Sequence, residues 1–352
     1  MFLALKEIKY EKLRYGLITF MIFLIAFLIF MLASLSTGLA SENTQAINSW
    51  NTNSVVLNKN SNINLAQSVI TKDDVKNTKL DNEKQAYVGQ TPVVIKHSGD
   101  STVSAQFIGL DYDQYIYKNL DIVEGKKPTK NMDVLADTAL KEKGYRLNDE
   151  ITFNSSKKKY KIVGFVKNAK INIAPIIYGK LSVWKSIRPM MPNAVASGII
   201  SKDNFKVDSA NTKTYDRNTF IKKLPGYMAQ NLTFEMMIGF LYVISLIVIA
   251  VFLYILTIQK LPNYAVLRAQ GIPMKTLVGA TLSQSLILVI LGTIIAWVVM
   301  LIMTKVLPAA VPLDFAPWIM ISGFAGMIAT GIIGGLIPIR SIMKVDPAKA
   351  IG

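Results

Sequence analysis

The stretch Met236-Met-Ile-Gly-Phe-Leu-Tyr-Val-Ile-Ser-Leu-Ile-Val-Ile-Ala-Val-Phe-Leu-Tyr-Ile-Leu-Thr-Ile-Gln259 decides the fold, because nothing between Glu235 and Lys260 carries a charge. A helix rises about 1.5 Å per residue, so roughly 20 apolar residues cross the hydrocarbon core of a bilayer. Three further uncharged runs of this kind lie between Arg14 and Glu42, between Lys275 and Lys305, and between Asp314 and Arg340. A soluble domain can bury one such helix, but four are hard to place in 352 residues. The expected fold class is therefore a membrane α-helical protein. It has four transmembrane helices, one before and three after an inserted extracellular α+β domain.

Orientation follows from the short loops, since translocation disfavours Lys and Arg close to a span. Lys6, Lys9, Lys12 and Arg14 precede the first run, Lys260, Arg268 and Lys275 join the second to the third, and Arg340, Lys344 and Lys349 follow the fourth; the opposing short loop has Lys305 alone. Both termini and the 260–275 loop are thus expected in the cytoplasm of a multi-pass cell-membrane protein. The expected organisation is an interfacial helix at 1–16, the first span at 17–40, the outer domain at 41–230 and the second span with an outward stalk at 231–259. A cytoplasmic coupling helix at 260–275 follows, then the third span at 276–304, an outer loop at 305–316, the fourth span at 317–339 and a cytoplasmic tail at 340–352. The outer insert holds 28 Lys and Arg against 18 Asp and Glu, but long translocated domains are exempt from the charge rule. The first run has the basic start of a signal peptide, yet its apolar length and weak cleavage site read as a retained anchor.

Within the insert, Asn43 to Asn64 is rich in Asn, Ser and Thr and is expected to wind loosely over other elements. Val93 to Ile95, Val103 to Gly109, Glu150 to Phe153 and Tyr160 to Val166 read as strands. Asp137 to Gly144 reads as a short helix closed by glycine, and Asn154 to Lys159 as a hairpin tip. Pro225-Gly226 ends the domain. Gly271-Ile272-Pro273 separates a short helix at 261–270 from the third span, and Gly323, Gly326, Gly331 and Gly335 mark a packing face on the fourth.

Composition excludes several functions. The formal net charge of +16 is divided between the outer domain and the cytoplasmic ends, so it forms no nucleic-acid-like patch and suits an anionic envelope surface. The absence of cysteine removes disulfides, thiolate metal sites and cysteine nucleophiles. A single histidine, His97, cannot build a multi-histidine metal site and reads as a surface residue, and no phosphate-binding Gly-rich loop ending in Gly-Lys-[Ser/Thr] occurs. No catalytic or metal site, no intrinsic cofactor and no enzymatic activity are expected in this chain.

The motifs then point to a family. Tyr264-Ala-Val-Leu267-Arg268-Ala-Gln-Gly271 looks like a cytoplasmic coupling segment of the form EIG-x-L-[KR]-A-x-G, and Val345-Asp346-Pro347-Ala-Lys-Ala-Ile351 resembles a closing IDP-x-x-AL. Leu120 to Gly125, Ala136 to Leu140, Leu147 to Ile151 and Ile162 to Gly164 follow a matching order in the outer domain. With the span arrangement, these resemble the permease subunits of the MacB/FtsX superfamily, the type VII ABC transporters. Leu3-Ala-Leu-Lys6-Glu7-Ile8, Arg14-Tyr15-Gly-Leu17-Ile18-Thr19 and Thr257-Ile-Gln-Lys260 narrow the resemblance to the haem-exporting permeases of Gram-positive bacteria. Asn263-Tyr264 departs from the family at a position that is usually acidic followed by Ile.

The resemblance implies a homodimeric permease in the lipid membrane, served by two copies of a cytoplasmic ABC ATPase that binds the ATP, with haem as substrate. Tyr264, Leu267, Arg268, Gly271, Asp346 and Pro347 would couple to the ATPase. Haem iron takes an axial ligand from His, Cys, Met or Tyr, and Tyr227, Met228, Glu235, Met236 and Met237 cluster where the second span leaves the outer leaflet, opposite Glu42. A headgroup-level aromatic belt with ordinary methionines accounts for the same residues. Export of antimicrobial peptides or lipoproteins, or FtsX-like signal transmission without transport, are the alternatives from the same fold.

Overall fold

The computed structural model describes residues 2–97, 102–188, 192–308 and 311–343. The chain divides into two compact units, Met1–Gly38 with Leu232–Gly352, and Leu39–Asn231. Among the described residues the helices are α1 (Phe2–Tyr10), α2 (Lys12–Ser49), α3 (Tyr115–Lys118), α4 (Ala139–Glu142), α5 (Leu181–Ile187), α6 (Arg217–Lys222), α7 (Tyr227–Ala269), α8 (Met274–Val306), α9 (Pro317–Leu336) and α10 (Ile339–Met343). Helices α2, α7, α8 and α9 are long and apolar enough to cross a membrane.

Helices α2 and α7 exceed the bounds expected from sequence by a turn or more at each end, and α8 by two residues at each end. Helix α2 continues from the apolar run into the Asn- and Thr-rich segment because the polar side chains bond back along the helix. Asn43 Nδ2 donates to the Leu39 carbonyl at 2.9 Å and Thr44 Oγ1 to the Ala40 carbonyl at 3.0 Å. Helix α7 runs through Pro262 without a break, so the segment expected as a separate helix at 261–270 is its last turns. Gly271, at φ +90°, closes it, with Gly271 N–H on the Arg268 carbonyl and Ile272 N–H on the Leu267 carbonyl. Pro273 is the N-cap of α8 and lies just before its first turn.

The membrane unit packs side chains into glycine gaps. A Cβ built on Gly323 of α9 would lie 2.5 Å from the Phe30 ring, one on Gly326 would lie 2.5 Å from the Tyr242 hydroxyl, and one on Gly331 would lie 2.8 Å from Val289. At its glycines the fourth span thus receives side chains from each of the other three, the close approach that small residues permit between membrane helices. Ser285 Oγ adds a hydrogen bond of 2.6 Å to the Gly331 carbonyl.

The outer unit is built on a mixed sheet. Its strands are β1 (Ser54–Asn58), β2 (Ile70–Thr71), β3 (Gln85–Lys96), β4 (Thr102–Leu110), β5 (Ile122–Gly125), β6 (Asp133–Asp137), β7 (Glu150–Phe153), β8 (Lys159–Val166), β9 (Lys170–Ile171), β10 (Ala174–Lys180), β11 (Ala194–Ala196), β12 (Gly198–Ser201) and β13 (Thr212–Asp216). The main sheet has the order β13-β1-β12-β3-β4-β10-β6-β8-β5, with β7 pairing both β3 and β8. The β10/β4 and β6/β8 pairs are parallel. The segment expected to wind loosely, Asn43 to Asn64, instead holds the end of α2 and the buried strand β1. Val55, Val56 and Leu57 are fully buried there, and Ser54 Oγ is satisfied by the Asp203 carbonyl at 2.6 Å. Compositional polarity misleads because these apolar residues form one short run among polar residues, several of whose side chains find partners, as Ser54, Asn58 and Ser61 do.

Two apolar clusters fill the outer unit. One gathers Ala46 and Ile47 of α2 and Trp50 just after it with Val55, Ile108, Leu135 and Tyr178. The other centres on Trp184 of α5, with Phe107, Phe153, Phe165 and Ile177. Gly89 and Gly109 face each other across β3 and β4, and a Cβ on Gly89 would lie 2.4 Å from the Trp184 indole. The indole N–H donates to the Gln90 carbonyl at 3.2 Å. This small pair therefore makes the slot that seats one of the two tryptophans of the domain.

Candidate functional site

The residues expected to receive haem distribute over the two units. In the outer unit, Glu42 near the end of α2 is ion-paired to Lys170 of β9, their side chains 14% and 19% exposed. Its carboxylate is engaged within the domain, a partner that no sequence signal named. Tyr227 opens α7 and packs, partly buried, against the cluster around Trp50 and Phe220, while Met228 is 57% exposed.

In the membrane unit, Glu235, Met236 and Met237 are exposed along the first turns of α7, and Gly239 has no heavy atom within 4 Å of an added Cβ. Met236, Phe240, Val243, Ile247 and Val251 continue as an exposed apolar ridge at helical spacing. Sequence reasoning found the Met and Glu residues. It did not see that Gly239 leaves a flat notch beside Glu235 and Met236, although an isolated glycine inside a helical pattern is a visible signal.

The coupling segment divides into two faces. Tyr264 is 1% exposed and packs with Leu277 and Ile342, and Leu267 is partly buried against the same group. Asn263, Val266, Ala269 and Gln270 are exposed, and Arg268 is half-buried. Tyr264 and Leu267 therefore hold the segment onto this chain's own α8 and α10, and Val266 is the apolar residue it presents outward. Gly271 terminates the segment, while Asp346 and Pro347 lie outside the described residues. In the outer unit, His97 faces the Asp149 carboxylate at 3.5 Å, a surface pairing. No group of three or more His, Asp or Glu placed to hold a metal ion occurs among the described residues.

Four helices long and apolar enough to cross a membrane and an inserted mixed-sheet domain define the class of the protein, a membrane protein with an α/β insert. Residues 235–347 match the family described as FtsX-like permease C-terminal. Over nearly its whole length the chain is similar to a Staphylococcus haemolyticus protein named as the permease HrtB of a hemin transport system. The two are 27% identical over 353 residues, 99% of each chain. A Staphylococcus epidermidis protein of the same name is 27% identical over 356 residues, again 99% of each chain. The periplasmic region of MacB from Actinobacillus actinomycetemcomitans aligns with 49% of this chain and 92% of its own length, at a TM-score of 0.37 and 13% identity.

Proposed function

We propose that the chain is the permease subunit of an ABC-type efflux system that extrudes haem, or a similar amphipathic molecule, from the membrane. The observation that carries this reading is the end-to-end similarity to proteins named for hemin transport. A homodimer of the chain works with two copies of a separate cytoplasmic ATPase. ATP-driven closure pushes the exposed end of α7, and the spans transmit the motion to the outer domain without substrate crossing from the cytosol.

The outer end of α7 is the proposed ligand position. Tyr227 and Met228 offer iron ligands, Met236 and Met237 offer soft apolar contacts, and the exposed Glu235 balances a cationic iron centre. Glu42 contributes through its pair with Lys170, which holds the end of α2 in the outer domain. Tyr227→Phe with Met228→Leu preserves volume and hydrophobicity, so folding should survive. The double variant should lose about tenfold or more in haemin affinity, read from the absorbance spectrum of the purified protein. An unchanged spectrum and unchanged haem tolerance of cells would remove haem from this position.

Docking of the ATPase is tested at Val266, 48% exposed, rather than at Leu267, whose replacement would disturb the cluster around Tyr264. Val266→Asp should lower co-purification of the ATPase, by about 1–3 kcal/mol if the contact is dry. Full recovery of an active complex would show that the partner docks elsewhere.

A further inference from the structure

Three sequence motifs that mark the resemblance have no role in the reading above: Lys6-Glu7-Ile8, Arg14-Tyr15 and Thr257-Ile-Gln-Lys260. The fold brings all three to one point. Lys260 Nζ donates to Glu7 Oε2 at 2.9 Å and to the Tyr15 hydroxyl at 2.7 Å, and stands 5.2 Å from the centre of the Tyr15 ring. Gln284 Nε2 donates to the same Glu7 carboxylate oxygen. Tyr15 is 1% exposed, Gln284 2% and Lys260 7%, while the Glu7 side chain is partly buried at 22%. One ammonium and one carboxylate thereby join α1, the start of α2, the end of α7 and the first half of α8.

Burial of such a pair calls for a reason. Desolvation offsets most of the attraction, and apolar residues of similar size would stabilise the fold as well or better. What an ion pair with two further hydrogen bonds supplies, and an apolar contact does not, is a single geometry. Between α1 and the end of α7 the packing is open, with a cavity of about 640 Å³ whose walls include Glu7 and Lys260 themselves beside Tyr10, Glu11, Asn263 and Leu267. The polar cluster is therefore the firm connection at this level. Lys260 also lies one turn before Tyr264, on the segment proposed to receive the ATPase.

We infer that Glu7, Tyr15, Lys260 and Gln284 form a buried latch that fixes α1 to the end of α7, making the N-terminal helix and the coupling segment one moving body. The four act as positioning residues, and their action on transport rests on the ATPase-driven reading above. In that setting a push on Val266 displaces α1 and the start of the first span together with the second. A single push then moves two spans.

The absence of cysteine allows clean labelling. Spin labels at Lys9→Cys and Gln270→Cys, both exposed positions, report the distance between α1 and the segment in the full-length protein in lipid nanodiscs. The wild-type background should give a single narrow distance peak. Glu7→Leu with Lys260→Met replaces the pair by apolar residues and keeps the chain folded, yet should lose that peak. The exchanged pair, Glu7→Lys with Lys260→Glu, should restore it. A folded double variant with the wild-type distribution overturns the latch, and so does failure of the exchanged pair to restore the peak. With the ATPase subunit bound and trapped with ATP and vanadate, the wild-type peak should keep its position, and a displaced peak overturns the single-body motion. The first arm needs neither ATP nor haem. Its failure is therefore distinguishable from failure of the ATPase to bind, which would strike the docking reading alone.

Discussion

The two units solve the same problem, burial of polar groups, in opposite ways. In the outer domain, water is the alternative partner and, Glu42 with Lys170 apart, most ion pairs lie on the surface: Lys118 with Glu83, Lys141 with Glu124, and Lys167 with Asp121 all have side chains more than 40% exposed. Such pairs contribute little, and the sheet and its two aromatic clusters set the stability. In the membrane unit, hydrophobicity does not favour helix over lipid. Close approach at glycines and the buried group around Lys260 do the sorting. The difference teaches where a substitution should hurt. In the outer domain it is the loss of large side chains, and in the membrane unit it is the enlargement of small ones at packed positions.

The largest expected effect is in the outer domain. Trp184→Ala empties the slot made by Gly89 and Gly109 and removes the indole N–H from the Gln90 carbonyl, which keeps the Ser197 hydroxyl as a donor. A buried aromatic truncated to Ala costs about 3–5 kcal/mol. Hydrogen exchange of the β3 and β4 peptides should rise accordingly. Protection equal to wild type would mean that Trp184 is not central to this core.

The membrane unit should show the reverse sensitivity. Gly323→Leu drives a side chain into the Phe30 ring and should destabilise the unit by about 1–3 kcal/mol, measured as thermal stability in detergent. Gly239→Ala, made where nothing lies within 4 Å, should be neutral or stabilising by up to about 1 kcal/mol through helix propensity. Equal losses at both positions would break the account of glycine as a packing residue here.

Much of this division is readable in the sequence, and the reasons are physical. Uncharged runs of bilayer length name the four spans, and strands such as Tyr160 to Val166 show themselves because β-branched and aromatic residues concentrate there. The extension of α2 through Asn43 and Thr44 is not readable, since it depends on side chains bonding back to i−4 carbonyls, which those residues also do in turns. Nor is the split of the coupling segment into an inward Tyr264 and an outward Val266, because α8 and α10 decide which face is covered. The convergence of Glu7, Tyr15 and Lys260 is the clearest case. Each motif is legible, but the contact joins residues more than 240 positions apart, and no local pattern carries that information.

The smallest expected effect compares two buried aspartates of the outer domain. Asp74 is 3% exposed and accepts from Thr71 N–H and Oγ1, Ser209 Oγ and Asn211 Nδ2. Burial pushes its carboxyl up, but these donors outweigh burial and hold it below the usual range. Asp137 is 2% exposed; its Oδ1 accepts from Ala139 N–H and Thr138 Oγ1, while Oδ2 has no partner. Burial dominates there and raises its carboxyl, reinforced by nearby Glu42 and opposed by Lys170. The signs of the linkage are opposite. A raised carboxyl keeps its proton in the folded domain, so stability present below the unfolded value of about 3.9 is lost as pH rises toward the folded value. A lowered carboxyl contributes stability above about 3.9 that is lost as pH falls toward its folded value. Asp137→Asn should therefore match wild type in acid and exceed it at neutral pH, by about 1.4 kcal/mol for each unit of upward shift removed. Asp74→Asn should fall below wild type at neutral pH. Hydrogen exchange of the peptides containing β6 and β2, compared between pH 4 and pH 7 after correction for intrinsic rates, reads both. If Asp137→Asn keeps the wild-type pH slope, the unpartnered oxygen is solvated in solution and the contrast between the two sites disappears.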